Sequence, residues 1–490
     1  MKLKDLLNGI DYSLFGDSEI EIKGIEHNSK KISKDYLFFC IEGKNVNGFD
    51  YCFEAINNGA VAIIVSKSNY DRYKSLIESA INVCVVVVEN VRSIVGFVAK
   101  NFINIDKFSF KLIGITGTNG KTTTSMMIAN GLIKANKSVA VIGTSGVFVN
   151  GDQLRGEELT TPDPIEMYKL LSFLNSIYVE YVICEVSAHA LDLEKLNGLY
   201  FDYGIFTNLT EDHLDYFKTM EEYGKAKEKF FNIVKVGIFN IDDDFGLKLY
   251  NNFSNTKYSY GKKNADYKIL YRHHKFVKIT NNNNKYKIMP KNLSGEYNAF
   301  NACSALVVLL KELGNKKLIE QSFAQLPKVQ GRLNKFKTKH HGTIVLDFAH
   351  TPDGLTKLLI SLKEGLKKKG KLISIFGCGG NRDKAKRAIM GNISGTYADY
   401  TFISIDNPRY EDPNIVMGDI ESGIKKITSN YKIVMPRQEA IKQAILLSGK
   451  NDIVAISGKG TEPYYEVNGE KLPYREDIVI KSLIKKYDSR

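Results

Sequence analysis

Lys111-Leu112-Ile113-Gly114-Ile115-Thr116-Gly117-Thr118-Asn119-Gly120-Lys121-Thr122-Thr123-Thr124 runs from an apolar strand start through a glycine-rich turn into a helix-like stretch from Ser125 to Ala135. A strand, a glycine-rich turn and a helix start in that order make a cradle for phosphate. Backbone N–H groups converge on the anion, and the helix N-terminus adds partial positive charge. Lys121 is expected to reach the β- and γ-phosphates of a nucleotide, and the Thr122 hydroxyl to ligate Mg²⁺. The general spacing GxxxxGK[ST] is not met, because Ile115 stands where its first glycine belongs; glycines stand at 114, 117 and 120 instead. A glycine-rich turn without a ligand is the plain alternative, but Gly-Lys-Thr-Thr after a buried strand has no obvious structural purpose.

Outward from this turn the chain reads as three α/β segments. Residues 108–331 alternate short apolar runs (Ser138 to Ile142, Val179 to Glu185, Tyr203 to Asn208) with helical patterns, which predicts a mainly parallel sheet covered by helices. Lys262 to Lys291, with Asn281-Asn282-Asn283-Asn284, reads as a surface hairpin region with the asparagines at a loop tip. Residues 1–107 read as a smaller binding domain with strands at Asp35 to Ile41, Ala60 to Val65 and Val83 to Val88. Residues 332–490 carry strands at Thr343 to Phe348, Lys371 to Phe376, Tyr400 to Ile405 and Asp452 to Ser457. Each of these last four ends in a polar or glycine-rich turn. In open parallel sheets the ligand crevice lies at the carboxyl ends of the strands, so a second ligand site is expected there.

Composition narrows the class. With 490 residues the chain is long enough for about two to four domains, each with its own core. Its net charge of +13 is compatible with nucleic acid and with anionic small substrates, but the lysines are spread along the chain with no basic arm or RNP-like aromatic motif, so solvated lysine faces are the expected reading. No apolar run approaches the length of a membrane span, and Met1-Lys2-Leu3-Lys4-Asp5 lacks the apolar core of a signal peptide. The six cysteines are scattered without C-x-x-C spacing and read as buried free thiols of a reducing cytoplasm.

Several polar clusters fall at predicted strand ends. In Glu185-Val186-Ser187-Ala188-His189 the glutamate closes a buried strand, where a carboxylate can hold Mg²⁺ against the phosphates; a helix N-cap with a nearby acid is the alternative. In Asp212-His213-Leu214-Asp215, His213 is a metal-ligand candidate, and Lys227 lies in the helical stretch that follows. Arg332 and Asp347 could clamp a nucleotide ribose. Gly377-Cys378-Gly379-Gly380-Asn381-Arg382-Asp383 opens a helix, and Asp406-Asn407-Pro408-Arg409 is a rigid turn bearing an arginine fork suited to a carboxylate.

Taken together, these motifs resemble the Mur ligase family, closest to its MurE branch, over nearly the whole chain. Glycines 114, 117 and 120 followed by Lys-Thr are similar to that family's own phosphate loop. Asn28-Ser29-Lys30 and Gly43 to Asp50 resemble its uridine-nucleotide domain, and Thr160-Thr161-Pro162-Asp163 its muramoyl turn. The blocks Asn208 to Asp215, Gly295 to Asn301, Asp347 to Asp353 and Gly458 to Glu462 complete the resemblance. It implies three domains: a uridine-nucleotide-binding domain (1–107), a central ATP-binding domain (108–331) and a C-terminal Rossmann-like domain that binds the amino acid (332–490). It implies phosphate contacts by Gly117, Thr118, Asn119, Gly120, Lys121, Thr122 and Thr123, and adenine and ribose contacts by Asn298, Arg332 and Asp347. Thr122, Glu185, His213 and a carbamylated Lys227 would face Mg²⁺. Ser29, Thr160, Thr161, Ser187 and Lys195 would contact the UDP-muramoyl substrate. Arg382, Asp406, Asn407, Arg409, Gly458 and Glu462 would form the amino-acid pocket. Three positions depart from the family pattern: Lys195 replaces an arginine, Asn381 an aspartate and Thr461 a histidine.

The implied reaction is ATP-dependent amide formation by a cytoplasmic, monomeric enzyme of peptidoglycan precursor synthesis. The D-glutamyl carboxylate of UDP-N-acetylmuramoyl-L-alanyl-D-glutamate would be activated as an acyl phosphate and then attacked by a diamino acid. Asp-Asn-Pro-Arg resembles the pattern of members that use meso-diaminopimelate; meso-lanthionine offers the same two ends, and L-lysine lacks the distal carboxylate. MurF, folylpolyglutamate synthetase, a P-loop ATPase acting on nucleic acid and a non-catalytic nucleotide-binding module are the alternatives. The Asp406 to Pro413 and Thr160 to Asp163 blocks argue against the first two.

Overall fold

The computed structural model describes residues 1–43, 46–80, 82–104, 108–156, 159–272, 276–281, 284–288 and 295–488. Lys44 and Asn45 of the Gly43 to Asp50 stretch, Lys107 at the first expected boundary, His273 to Lys275, Asn282, Asn283 and Met289 to Lys291 lie outside the described residues. The architecture is α/β, built on three main sheets of five, eleven and six strands.

The middle sheet explains how the phosphate turn is placed. Seven strands are mutually parallel, in the order Tyr267–Arg272, Thr256–Gly261, Val234–Asn240, Phe201–Phe206, Lys111–Thr116, Tyr181–Glu185 and Val139–Gly143. The chain leaves Lys111–Thr116, builds Val139–Gly143 two places to one side, fills the gap with Tyr181–Glu185, then crosses to Phe201–Phe206 on the other side. The strand order therefore reverses at Lys111–Thr116, and a crevice opens at such a switch point beyond the carboxyl ends. Three segments distant in sequence, starting at Gly117, Val186 and Thr207, are brought side by side.

Both edges of this sheet extend further than the sequence suggests. Gly146–Val149 and Asp152–Arg155 add an antiparallel hairpin at one edge. At the other, Phe276–Asn281 and Asn284–Ile288 continue antiparallel from Tyr267–Arg272. The stretch read as a surface hairpin is one, with Asn281 paired to Asn284, and it also prolongs the central sheet. Its alternating Ile269, Val277, Ile279, Tyr286 and Ile288 are buried within the main core, and only the outward side chains face water.

Helices Lys121–Lys134 and Glu296–Leu313 pack together on one face. The core beneath them is continuous from Ile113, Ile128 and Leu306 of the middle segment to Val345, Leu355 and Leu358 of the last one. Each leucine so buried contributes about 1.5–3 kcal/mol, so the last segment is seated on the middle one by apolar contact as well as by polar groups. On the opposite side, helix Val91–Ile103 packs against helix Pro164–Ser176 and joins the first sheet to the middle one. All six cysteines are buried and free.

In the last sheet Thr343–Asp347, Ile453–Ser457, Leu372–Phe376 and Tyr400–Ile403 are adjacent and parallel, so their polar turns converge at one end. Below them, Arg437 and Glu476 form a fully buried ion pair, and the guanidinium also donates to the Ser457 carbonyl at 2.8 Å. Removing one partner leaves the other charged and unsolvated, at about 3–5 kcal/mol. Glu476→Ala is therefore expected to lose that much in urea denaturation; a loss under about 1 kcal/mol would mean Arg437 finds other partners.

Candidate active site

The phosphate turn is held from behind by the neighbouring strand end. Asn208 accepts from the backbone N–H of Asn119 at 3.0 Å, and the Thr207 hydroxyl donates to the Asn119 carbonyl at 2.7 Å. Gly117 has φ +140°, and a Cβ there would run into the Thr207 hydroxyl, so only glycine fits. The Lys121 ammonium donates to the carbonyls of Gly117 at 2.9 Å and Thr118 at 3.0 Å. Burial pulls its pKa down, while Glu185 and Asp212 pull it back up. Thr122 and Thr123 follow in the first turn of helix Lys121–Lys134, with their side chains buried.

Glu185 is buried at its strand end and accepts from the hydroxyls of Thr122 at 3.0 Å and Thr144 at 3.2 Å. Burial raises its carboxyl above the ordinary range, partly offset by Lys121 and Thr122. Thr160 and Thr144 share a hydrogen bond of 3.0 Å, so the Thr160-Thr161 turn touches the same cluster. Thr161 donates to the Glu185 carbonyl at 2.9 Å and accepts from the Ser187 backbone N–H at 3.1 Å. Ser187 in turn caps the helix Ala188–Asp192.

His213 and Lys227 stand a step away from Glu185. His213 has φ +58° and lies 3.4 Å from the Asp212 carboxylate and edge-on to the rings of His189 and Tyr223. Burial lowers its pKa, so the imidazole is neutral. Lys227 is only 1% exposed, and its ammonium lies 4.4 Å from the centre of the Tyr223 ring. Burial drives its pKa well below the ordinary lysine value, and Lys121 lowers it further. Among the described residues no three His, Cys, Asp or Glu side chains form a closed metal cage. Thr122 and Glu185 are hydrogen-bonded; His213 and Lys227 both lie against the Tyr223 ring.

Asp212 is the joint that the sequence did not single out as a site residue. It faces His213, His350 at 3.8 Å and Lys386 at 3.5 Å, the last two from the C-terminal segment. Burial pushes its carboxyl up, but His350, His213 and Lys386 outweigh burial and hold it below the usual range. Asn119 adds a second link by donating to Asp353 at 3.1 Å.

Between the two segments lies a cavity of about 850 Å³. Asn119, Gly120, Thr123 and Asn298 line it from the middle segment, and Arg332 and Asp347 close the other side. Asp347 accepts from the backbone N–H groups of Leu333 at 2.8 Å and Ala349 at 2.9 Å, which fixes its carboxylate. Arg332 lies over the Phe348 ring, 5.0 Å from its centre. A smaller pocket of about 300 Å³ lies between the first and middle segments, lined by His27, Arg92, Asp163 and Lys195 among others. Lys195 pairs with Asp163 at 2.7 Å. Ser29 is apart from this lining; its hydroxyl donates to Glu54 at 2.6 Å.

At the C-terminal turns Asn407 is central. Its amide donates to Glu462 at 3.0 Å and its oxygen accepts from the buried Lys459 ammonium at 2.7 Å. Burial raises the Glu462 carboxyl above its ordinary value, with Asp406 adding to the rise and Lys459 opposing it. Gly458 passes so close to the Asp406 carboxylate that a Cβ would crowd it at 2.8 Å. The Arg409 guanidinium donates to Glu466 at 3.0 Å and to the Gly380 carbonyl at 2.7 Å. Arg382, half-exposed, reaches back to Asp215 at 3.7 Å. Asn381 sits at φ +50°, a conformation that asparagine tolerates better than most residues, and accepts from the Tyr410 N–H at 2.9 Å. Lys459 and Glu466 are the residues the sequence reading left out here.

Family models match the chain at residues 21–102 (Mur ligase family, catalytic domain), 115–309 (Mur ligase middle domain) and 331–460 (Mur ligase, glutamate ligase domain). A relative from Clostridium acetobutylicum, named UDP-N-acetylmuramoyl-L-alanyl-D-glutamate–2,6-diaminopimelate ligase 1, is 37% identical with 99% of each chain covered. The ligase of that name from Clostridium botulinum is 35% identical, covering 99% of this chain and 100% of the relative. A solved structure of a UDP-N-acetylmuramoyl-L-alanyl-D-glutamate–2,6-diaminopimelate ligase matches at 26% identity with a TM-score of 0.68, over 99% of both chains. With the three models matched in order and relatives similar from end to end, the protein belongs to the Mur ligase family.

Proposed function

We propose that the protein is a cytoplasmic, monomeric, ATP-dependent amide ligase of peptidoglycan precursor synthesis. It joins meso-2,6-diaminopimelate to the D-glutamate of UDP-N-acetylmuramoyl-L-alanyl-D-glutamate, the activity for which its full-length relatives are named. The observation that carries the reading is the cavity walled by the phosphate cradle on one side and by Arg332 and Asp347 on the other. Among the described residues no helix is long and apolar enough to cross a membrane.

In this reading Gly117 to Thr123 cradle the triphosphate, Lys121 neutralises charge on the transferring phosphoryl group, and Asn298, Arg332 and Asp347 hold adenine and ribose. Mg²⁺ fits the Thr122 and Glu185 pair: both offer hard oxygen donors, and a dication would return the buried Glu185 to its charged form. When bound, it neutralises phosphate charge during transfer. Glu185 and His213, with a carbamylated Lys227 beside them, would hold a second ion. Ser29, Thr160, Thr161, Ser187 and Lys195 orient the UDP-muramoyl dipeptide, so that its D-glutamyl carboxylate meets the γ-phosphorus. The amine of the incoming amino acid attacks the acyl carbon of the acyl phosphate so formed, making the amide bond as phosphate leaves. Most of the catalysis is positioning and charge neutralisation rather than covalent chemistry by the chain.

Arg382, Asp406, Asn407, Arg409, Gly458 and Glu462 hold the incoming amino acid, with Arg409 on its distal carboxylate. Losing a buried partner of such a charge costs roughly 2–5 kcal/mol. Arg409→Ala is therefore expected to raise the KM for meso-diaminopimelate about thirtyfold or more and leave the KM for ATP nearly unchanged. An unchanged amino-acid KM would remove Arg409 from the pocket. The function itself is tested by phosphate release with ATP, UDP-muramoyl-L-Ala-D-Glu and, in turn, meso-diaminopimelate, meso-lanthionine and L-lysine. Release that needs DNA or RNA and ignores the muramoyl substrate would overturn it.

A further inference from the structure

The hairpin Tyr464–Val467 and Glu470–Pro473 lies just beyond the last recognised turn and closes over Arg409. Its Glu466 makes three kinds of contact with the pocket. The Glu466 carbonyl accepts from the Arg409 backbone N–H at 3.0 Å, and two residues on the Asn468 N–H donates to the Arg409 carbonyl at 2.7 Å. This pairing holds Arg409 at φ +53°, a backbone conformation unfavourable for a side chain of its size. The Glu466 carboxylate takes the Nε hydrogen of Arg409 at 3.0 Å. Its backbone N–H donates at 3.1 Å to the Asn407 oxygen that also receives Lys459.

We propose that Glu466 is a positioning residue that aims the Arg409 guanidinium at the distal carboxylate of the incoming amino acid. The proposal rests on the ligase reading above. A guanidinium carries five N–H donors. Glu466 takes Nε and the Gly380 carbonyl takes one hydrogen of Nη1. The other hydrogens lie on Nη1 and Nη2, whose two nitrogens form the end that grips a carboxylate in bidentate fashion. A long side chain free to turn would lose that aim and pay the rotamer entropy on binding. Glu466 therefore acts on amino-acid binding through Arg409, without touching the substrate.

Steady-state kinetics on the full chain with ATP, UDP-muramoyl-L-Ala-D-Glu and meso-diaminopimelate test this. Glu466→Ala is expected to raise the KM for meso-diaminopimelate about tenfold, with kcat and the KM for ATP within about twofold. Glu466→Gln, which keeps an acceptor for Nε, is expected to recover most of that loss. In an Arg409→Ala background, Glu466→Ala should change nothing further, because the two residues act as one unit. Should loss of the side chain unfold the hairpin, Glu466→Asp decides: drawn back by one methylene, it should raise the same KM about threefold. An unchanged KM in a folded Glu466 variant, or losses that multiply in the double variant, would overturn the proposal. A wild-type chain that does not use meso-diaminopimelate at all would instead overturn the ligase reading.

Discussion

Lys121→Ala should ligate at least about a thousandfold more slowly than wild type while melting at nearly the same temperature. The rate falls because this is the only lysine of the phosphate turn and, in the ligase reading, the group that neutralises charge developing on the phosphoryl group. Preorganised charge of that kind is worth on the order of 4 kcal/mol in a site closed to water. The fold survives because the ammonium donates only to the carbonyls of its own turn, Gly117 and Thr118. The turn itself is braced independently by Thr207 and Asn208. Burial already disfavours the charge, so its loss removes a desolvation penalty along with two hydrogen bonds. Phosphate release and thermal melting measured on one preparation decide the matter. Ligation near the wild-type rate in a folded variant would sink the phosphate-loop assignment.

Lys227→Ala should be nearly inactive and partly restored by formate or acetate. A lysine that is 1% exposed and lies over an aromatic ring is an expensive place for a cation. Its pKa lies well below the ordinary value because of burial first and Lys121 second, so the neutral amine is favoured. The neutral amine is the form that adds carbon dioxide: the nitrogen lone pair forms the N–C bond, a proton leaves, and a cation becomes an anion. Such an anion would be attracted by Lys121 where the cation is repelled, and its buried charge would be compensated beside Mg²⁺. A small carboxylate diffusing into the truncated site supplies the same charge, which alanine alone cannot. Full activity without added carboxylate would take Lys227 out of the site.

The phosphate turn was readable because strand, turn and helix are contiguous in the chain and each leaves its own pattern. The four polar turns of the last segment were readable for a related reason: a parallel sheet collects the carboxyl ends of its strands, whichever order they take. What escaped reading is pairing across sequence distance. Asp212 meets His350 and Lys386 only after two segments have docked. Glu466 meets Arg409 only through a hairpin. That hairpin did leave a trace, since Asn468-Gly469 has positive φ at both positions and such a pair marks a tight turn. Asn150-Gly151 repeats the signal between the strands Gly146–Val149 and Asp152–Arg155. The stretch from Tyr267 to Ile288 was readable as a hairpin, but not as an edge of the central sheet, because its polar outward face dominates the composition while the alternate residues that bury it are few.

The cavity between the middle and last segments makes the chain unequally divisible. The last sheet carries the turns of Asp406 to Arg409 and Gly458 to Glu462 on its own strands, but it supplies only one wall of that cavity. On the ligase reading, a last segment transplanted from a relative would bring most of its amino-acid pocket with it, Arg382 alone reaching across to Asp215. Its grip on ATP would be renegotiated at every splice, because Asn119 must find Asp353, and Asp212 must find His350 and Lys386, across the join. On the ligase reading, what is attached is therefore more separable in this chain than how the attachment is powered.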